Sequence, residues 1–128
     1  MIFLYQLQKM GENCFYIKAI GKFPPIEAER FVNDFKDQIK NMKKFCVLVD
    51  ISDASHLDSR SINIILDLLK ENNKRLEKSA FVIINNPPLD VEIKYLLEKA
   101  ISPKRKIVTT LDEAKEWLGI SDIVIKKD

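Results

Sequence analysis

Glycine, histidine and cysteine are scarce in this chain of 128 residues, which has three glycines, one histidine and two cysteines. The three glycines are isolated from one another, whereas a dinucleotide-binding loop or a P-loop needs several within one turn to let the backbone approach a phosphate. The two cysteines and the histidine are spread along the chain, whereas a structural zinc site needs about four such ligands, usually in close pairs. These absences exclude the common phosphate-binding loops and zinc sites, and we expect no cofactor and no enzymatic activity.

Charge of one sign is also lacking, because 21 basic residues face 19 acidic ones and the net charge is +2. A balance of this kind does not favour nucleic acid as a partner. The apolar runs reach only about five residues, far short of the ~20 that span a bilayer. The amino terminus has no basic segment before its apolar residues, so it does not resemble a signal peptide. We therefore predict a cytoplasmic protein without a membrane span.

Cys14 and Cys46 lie inside apolar segments. This placement is typical of small buried hydrophobic residues in a reducing compartment. A nucleophilic pair of Cys46 with His56 would need a third group to orient the histidine, and nothing nearby in the sequence supplies one.

Strand-like and helix-like patterns alternate along the chain. Two strands joined by a short turn predict an antiparallel hairpin at the start. The later strands are continuous apolar runs separated by amphipathic helices, which predicts right-handed crossovers and a parallel sheet. The strands are predicted at 2–8, 14–20, 45–49, 80–84 and 106–109, and the helices at 24–42, 58–77, 91–100 and 110–118, with a further edge strand at 123–125. The order ββαβαβαβα predicts an α/β fold in one domain over 1–128, with a mixed, mostly parallel sheet packed with helices.

Four short motifs occur in a characteristic order: Gly21-Lys22-Phe23, Val47-Leu48-Val49-Asp50-Ile51-Ser52, Leu57-Asp58-Ser59-Arg60-Ser61 and Thr110-Leu111-Asp112-Glu113-Ala114-Lys115-Glu116-Trp117-Leu118. Their order and spacing over about 13–118 resemble the STAS domain of bacterial anti-sigma factor antagonists. The sequence is most similar to the SpoIIAA-like branch, also described as STAS/CRAL-TRIO-like.

The resemblance implies a regulatory role. In antagonists of this type a kinase-type anti-sigma factor phosphorylates a serine at the start of the second helix, in a sequence like Asp-Ser-Ser-Gly. Asp58 matches the aspartate, Ser59 the first serine, Arg60 the phosphoacceptor serine and Ser61 the glycine. Because arginine occupies the usual acceptor position, Ser59 and Ser61 are the candidate phosphoacceptors.

The segment from Asp50 to Ser61 is the richest in polar residues that could serve a site. A helix amino terminus offers unpaired N–H groups and a partial positive charge, which stabilise either a capping carboxylate or a bound anion. We therefore predict a capping role for Asp58 and turn roles for Asp50 and Asp53. The candidate partner- or anion-binding residues of this segment are Asp50, Asp53, His56, Asp58, Ser59, Arg60 and Ser61.

Three functions follow from these observations. The first is a non-enzymatic STAS-like module that binds a protein, or a second copy of itself, through the second helix and the preceding loop. The second is a small-molecule or lipid-binding domain, which requires an apolar cavity of roughly 300–1,000 Å³. The third is a metal-dependent phosphotransfer protein that uses Asp50, Asp53 and Asp58. We interpret the basic run at 104–106 as a solvated loop.

Overall fold

The computed structural model describes residues 5–10, 13–55, 59–101 and 103–119. The elements follow the predicted order ββαβαβαβα. They are β1 (Tyr5–Met10), β2 (Cys14–Ala19), α1 (Pro25–Ile39), β3 (Phe45–Asp50), α2 (Ser59–Asn72), β4 (Leu76–Val82), α3 (Pro87–Ala100), β5 (Arg105–Val108) and α4 (Leu111–Leu118). The edge strand predicted at 123–125 lies outside the described residues.

The five strands form one sheet in the order β1-β2-β3-β4-β5. The first two strands are antiparallel, and each later strand is parallel to the strand before it. The predicted mixed, mostly parallel sheet is therefore confirmed. No helix among the described residues is long and apolar enough to cross a membrane.

The two faces of the sheet are covered unequally. Helices α1, α2 and α3 cover one face, where residues such as Phe15, Ile17 and Phe81 point. Helix α4 covers the other face, where Ala114 packs with Leu48 and Val108. Because both faces are covered, the central strands are apolar on both sides, as continuous apolar runs predict.

Helix α2 ends at Asn72 and β4 begins at Leu76, so the prediction of a helix to residue 77 is wrong. The side-chain amide of Asn72 donates to the Leu68 carbonyl at 2.9 Å, and the Arg75 N–H donates to the Asn72 carbonyl at 3.1 Å. Two consecutive asparagines favour such local hydrogen bonds over helix continuation. Leu76 instead pairs with Phe45 of β3, which starts the next strand four residues early.

Helix α3 begins at Pro87, four residues before the predicted start. Its first two residues are prolines, which are tolerated there because the first helical N–H groups need no intrahelical partner. Helix α4 begins as predicted, with the Thr110 hydroxyl oxygen accepting from the Glu113 N–H at 3.1 Å. It ends at Gly119, which has a φ of 72° and closes the last turn.

Polar side chains hold the carboxyl ends of α1, α2 and α3 together at one edge of the sheet. Arg75 donates to the Met42 carbonyl at 3.1 Å and to the last residue of α1. Arg105 donates to the Leu69 carbonyl and to Asn73 Oδ1, both at 3.0 Å. Asn73 in turn donates to the last carbonyl of α3 at 2.8 Å. Arg105 is therefore a structural residue, and its interpretation as part of a solvated loop is wrong.

Cys14 and Cys46 are opposite each other on β2 and β3, and a disulfide joins them. Their Cα atoms are 4.5 Å apart. Both are buried, as predicted, and both lie on the α4 face. The disulfide contradicts their interpretation as two separate small hydrophobic residues. The sequence shows that both segments are strands, and it does not show the register that places the two cysteines side by side.

Reduction of the disulfide should lower the free energy of unfolding by about 3–4 kcal/mol, because the bond closes a loop with a sequence separation of 32 and restricts the unfolded chain. Urea unfolding with and without a phosphine reductant measures the difference. The double variant Cys14→Ala/Cys46→Ala is the control and should show no effect of the reductant. If an alkylating reagent modifies both cysteines in denatured protein that was not reduced, the disulfide is absent and the prediction is wrong.

Candidate functional site

The segments that follow β2, β3 and β4 meet at the carboxyl edge of the sheet. Gly21 forms a parallel bridge with Ala54, in which the Gly21 N–H donates to Asp53 O at 3.0 Å and Ser55 N–H donates to Gly21 O at 2.7 Å. Gly21 has a φ of 67°, a left-handed conformation that favours glycine. The chain after β3 is thus fixed against the chain after β2.

Ser52 and Asn86 hold the same segment from the other side. The Ser52 hydroxyl oxygen accepts from the Ile84 N–H at 2.9 Å. The Asn86 side chain donates to the carbonyls of Ser52 at 3.2 Å and Ala54 at 2.9 Å. Residues 51–55 are therefore held by hydrogen bonds to the segment after β2 on one side and to the segment after β4 on the other.

The structure describes two of the three acidic residues that the metal-dependent hypothesis requires. Asp50 Oδ1 accepts from the Ser52 N–H at 3.1 Å, the arrangement expected of an aspartate in a turn. Asp53 is exposed and lies 3.7 Å from the Lys18 ammonium. His56 and Asp58 lie outside the described residues, so the capping role of Asp58 stays a prediction. Within the described part of the chain, no group of three His, Cys, Asp or Glu residues could hold a metal ion.

The first turn of α2 places its two candidate serines in opposite environments. Ser59 and its neighbour Arg60 are exposed. Ser61 is fully buried, and its hydroxyl donates to the Phe23 carbonyl at 2.8 Å. This hydrogen bond joins the start of α2 to the segment before α1. Of the two candidate phosphoacceptors, Ser59 is the one at the surface.

Apolar residues surround this corner of the molecule. Three isoleucines in or close in sequence to the connected segments are exposed, namely Ile20 (42% exposed), Ile26 in the first turn of α1 (67%) and Ile84 (48%). Helix α2 adds five apolar residues that pack against the core on one side and remain partly exposed on the other, Ile62, Ile64, Ile65, Leu66 and Leu69. We call the exposed side of α2 together with these three isoleucines the α2 surface. Clustered exposed apolar residues are typical of interaction sites.

A cavity of about 100 Å³ lies between the sheet and the helices α1, α2 and α3. Its volume is below the roughly 300–1,000 Å³ that a lipid or drug-sized ligand requires. Most of its lining is apolar, and its polar side chains include Ser79 and Arg105. Burial lowers the pKa of Arg105 to about 10. Neither residue was a sequence-based candidate, because a serine in a strand and an arginine in a basic run carry no signal of burial.

Tyr16 lies on the other face of the sheet, buried below the candidate segment. Burial, and then the negative charges of Asp50 and Asp53, raise the pKa of the Tyr16 hydroxyl above its ordinary value of 10.0. The neutral phenol is therefore the form that the fold stabilises.

Comparison with protein-family models and with curated proteins gave no match. Among solved structures, the chain is similar to an uncharacterised DUF3478-family protein with a SpoIIAA-like fold from Shewanella loihica PV-4. That match has a TM-score of 0.68 and 17% identity, and covers 89% of this chain and 91% of the other.

Two further structures give similar values. The unphosphorylated anti-sigma factor antagonist SpoIIAA matches with a TM-score of 0.65 and 14% identity, over 92% of this chain and 99% of its own. The protein TM1081 matches with a TM-score of 0.65 and 22% identity, over 91% of this chain and 87% of its own. The chain therefore has the SpoIIAA-like STAS fold, and the fold predicted from the order of the motifs is confirmed.

Removal of the Ser61 hydroxyl should destabilise the protein, because the buried Phe23 carbonyl would lose its donor. We expect Ser61→Ala to lower the free energy of unfolding by about 1–3 kcal/mol. The matched control is Ser59→Ala, two residues earlier and exposed, which should change it by no more than about 0.5 kcal/mol. Urea unfolding of the three proteins measures the difference, and equal stabilities would contradict the role of the bond.

The raised pKa of Tyr16 predicts that stability falls as the pH rises above about 10. The folded pKa is higher than the unfolded value, so the contribution is complete below pH 10 and is lost as the unfolded chain ionises and the folded hydroxyl follows. Tyr16→Phe should weaken this decline. Denaturant unfolding between pH 8 and about pH 11.5 tests it, and an identical decline in Tyr16→Phe would exclude Tyr16 as its source.

Proposed function

We propose that this protein is a non-enzymatic STAS-like regulatory module that binds a protein partner through the α2 surface. The observation that supports this proposal most directly is the placement of exposed Ser59 and Arg60 beside partly buried apolar residues of α2. The SpoIIAA structure, which has the same fold, belongs to an anti-sigma factor antagonist. A partner of the kinase-type anti-sigma factor class is therefore our first expectation.

The α2 surface has the composition of a protein-binding site. Its partly buried apolar residues would form the centre of an interface, and exposed polar residues of α2 such as Asn63, Asp67 and Lys70 would form its rim. Interfaces that dissociate have this arrangement of an apolar centre within a polar rim. A second copy of the chain could use the same surface, and sedimentation of the purified protein distinguishes a homodimer from a monomer.

Ser59 is the position at which phosphorylation would control this surface. A phosphate adds about −1.5 to −2 charge at pH 7, directly beside Arg60 and the apolar residues that follow. At a helix amino terminus this charge would stabilise α2 itself. The expected effect is thus loss of the partner without loss of the fold.

The described acidic residues of the segment have structural contacts. Asp50 accepts from a backbone N–H, and Asp53 is exposed at the side of Lys18. We keep the predicted cytoplasmic location as part of the proposal. The disulfide bears on it, because such bonds are rare in reducing compartments, and alkylation of the protein in intact cells would show which state the native compartment maintains.

Reversal of one charge on the α2 surface should release the partner. In a pull-down from native lysate read by mass spectrometry, we expect Arg60→Glu to reduce capture of the specific partner about tenfold or more. The matched control is Lys43→Glu, the same charge change at an exposed residue before β3, which should capture as much partner as the wild type. Equal capture by all three proteins would contradict the assigned surface.

The phosphorylation switch is tested separately. Ser59→Asp should release the same partner, whereas Ser59→Ala should retain it, and both should unfold at or above the wild-type urea concentration. A phosphopeptide that contains Ser59 in protein isolated from its native cells would support the switch. Partner binding that is unchanged in Ser59→Asp would exclude it while leaving the α2 surface itself in place.

A further inference from the structure

The cavity beneath α2 contains two buried hydrogen-bond donors that the described part of the chain does not use. Ser79 is 1% exposed, and its hydroxyl has no hydrogen-bond partner among the described residues. The Arg105 Nε–H is also buried, and no described residue accepts from it. Buried polar groups in folded proteins nearly always have partners, so a pair of unused donors needs an explanation.

These two donors lie side by side. Ser79 and Arg105 are paired residues on the neighbouring strands β4 and β5, and both line the cavity. The other end of the Arg105 guanidinium donates to Leu69 O and Asn73 Oδ1, which fixes its position under the end of α2. The fold thus holds the guanidinium in place while leaving its Nε–H available.

The charge of Arg105 is not balanced by the described part of the chain. None of the ion pairs formed by the described residues includes Arg105, and burial lowers its pKa to about 10. Arg105 is partly buried, and charges that are withdrawn from water are normally paired with an opposite charge. A water molecule could accept both hydrogen bonds, but it would leave the charge unbalanced. An anion satisfies the donors and the charge together.

The shape of the site selects the kind of anion. A carboxylate has two oxygens, which match the two donors, whereas a phosphate would bring further charged oxygens against an apolar wall. The remaining lining, which includes Phe35, Ile65 and Ile93, suits an aliphatic chain. An apolar cavity of about 150 Å³ holds benzene, so a cavity of about 100 Å³ suits about five or six non-hydrogen atoms.

We propose that this cavity binds a small aliphatic monocarboxylate of about butyrate size, with its carboxylate between Ser79 Oγ and Arg105 Nε and its chain among the apolar residues beneath α2. The cavity lies on the inner side of α2, where Ile65 and Leu69 line it, whereas partner binding is tested through exposed Arg60, so the two proposals are tested separately. A longer fatty acid has the same head group and is distinguished from a short acid by the length of chain that the cavity accepts.

The experiment uses the intact protein and sodium butyrate, with sodium chloride at matched ionic strength as the reference. We expect butyrate to shift the arginine Nε–H resonance of Arg105 in a saturable manner and to raise the thermal midpoint with concentration. 1-Butanol, which has the same chain without the charge, should bind about tenfold more weakly or worse. An Arg105 resonance that does not respond to butyrate overturns the proposal, as does an equal effect of 1-butanol.

Ser79→Ala is the decisive variant because the hydroxyl it removes has no partner in the fold. The variant should remain folded at the wild-type thermal midpoint or above it, and its affinity for butyrate should fall about tenfold. Arg105→Lys removes the Arg105 Nε–H and so identifies its resonance. The variant should not bind butyrate, and circular dichroism checks that it is folded. Unchanged affinity in Ser79→Ala overturns the proposal, and so does a protein that responds to decanoate and not to butyrate.

Discussion

Helix α2 is held at its two ends, and the rest of the molecule on that side of the sheet depends on this. At its start the buried Ser61 hydroxyl donates to the Phe23 carbonyl, and at its end Arg105 donates to the Leu69 carbonyl. Between these ends Leu68 is buried, and the five partly buried apolar residues of α2 pack against the core. The cavity lies beneath the same helix.

The two faces of the sheet differ in how the helices pack on them. On the α4 face small residues allow close approach, since Ala80 and Ala114 are both fully buried, and the disulfide fixes the neighbouring strands. Trp117 of α4 also donates to the Ser79 carbonyl at 2.9 Å. The face covered by three helices packs a larger apolar core that includes Phe15, Phe35 and Phe45, and long polar side chains join the ends of its helices to carbonyl groups. This second face carries the surface and the cavity for which we propose functions.

The sequence predicted the order of the elements because hydrophobic period and strand-like runs are local properties. It did not predict where α2 ends, because Asn72 and Asn73 stop the helix within a stretch of charged residues that suits a helix and a strand end equally. The disulfide, the buried Ser61 and the structural role of Arg105 were also missed. Each depends on a partner at least 32 residues away along the chain, and such pairs are set by register and packing.

The strand order has a consequence for how the chain folds. Each strand pairs with the one before it, so every crossover closes a loop of modest length, and long loops are the costly ones to close. The sheet can therefore grow in one direction from its first hairpin while the ribosome is still adding residues. Cys46 is placed opposite Cys14 when β3 pairs with β2, before β5 joins the far edge of the sheet. The strand that is added last therefore carries Arg105, so the contact that holds the end of α2 would form only after the earlier strands have paired.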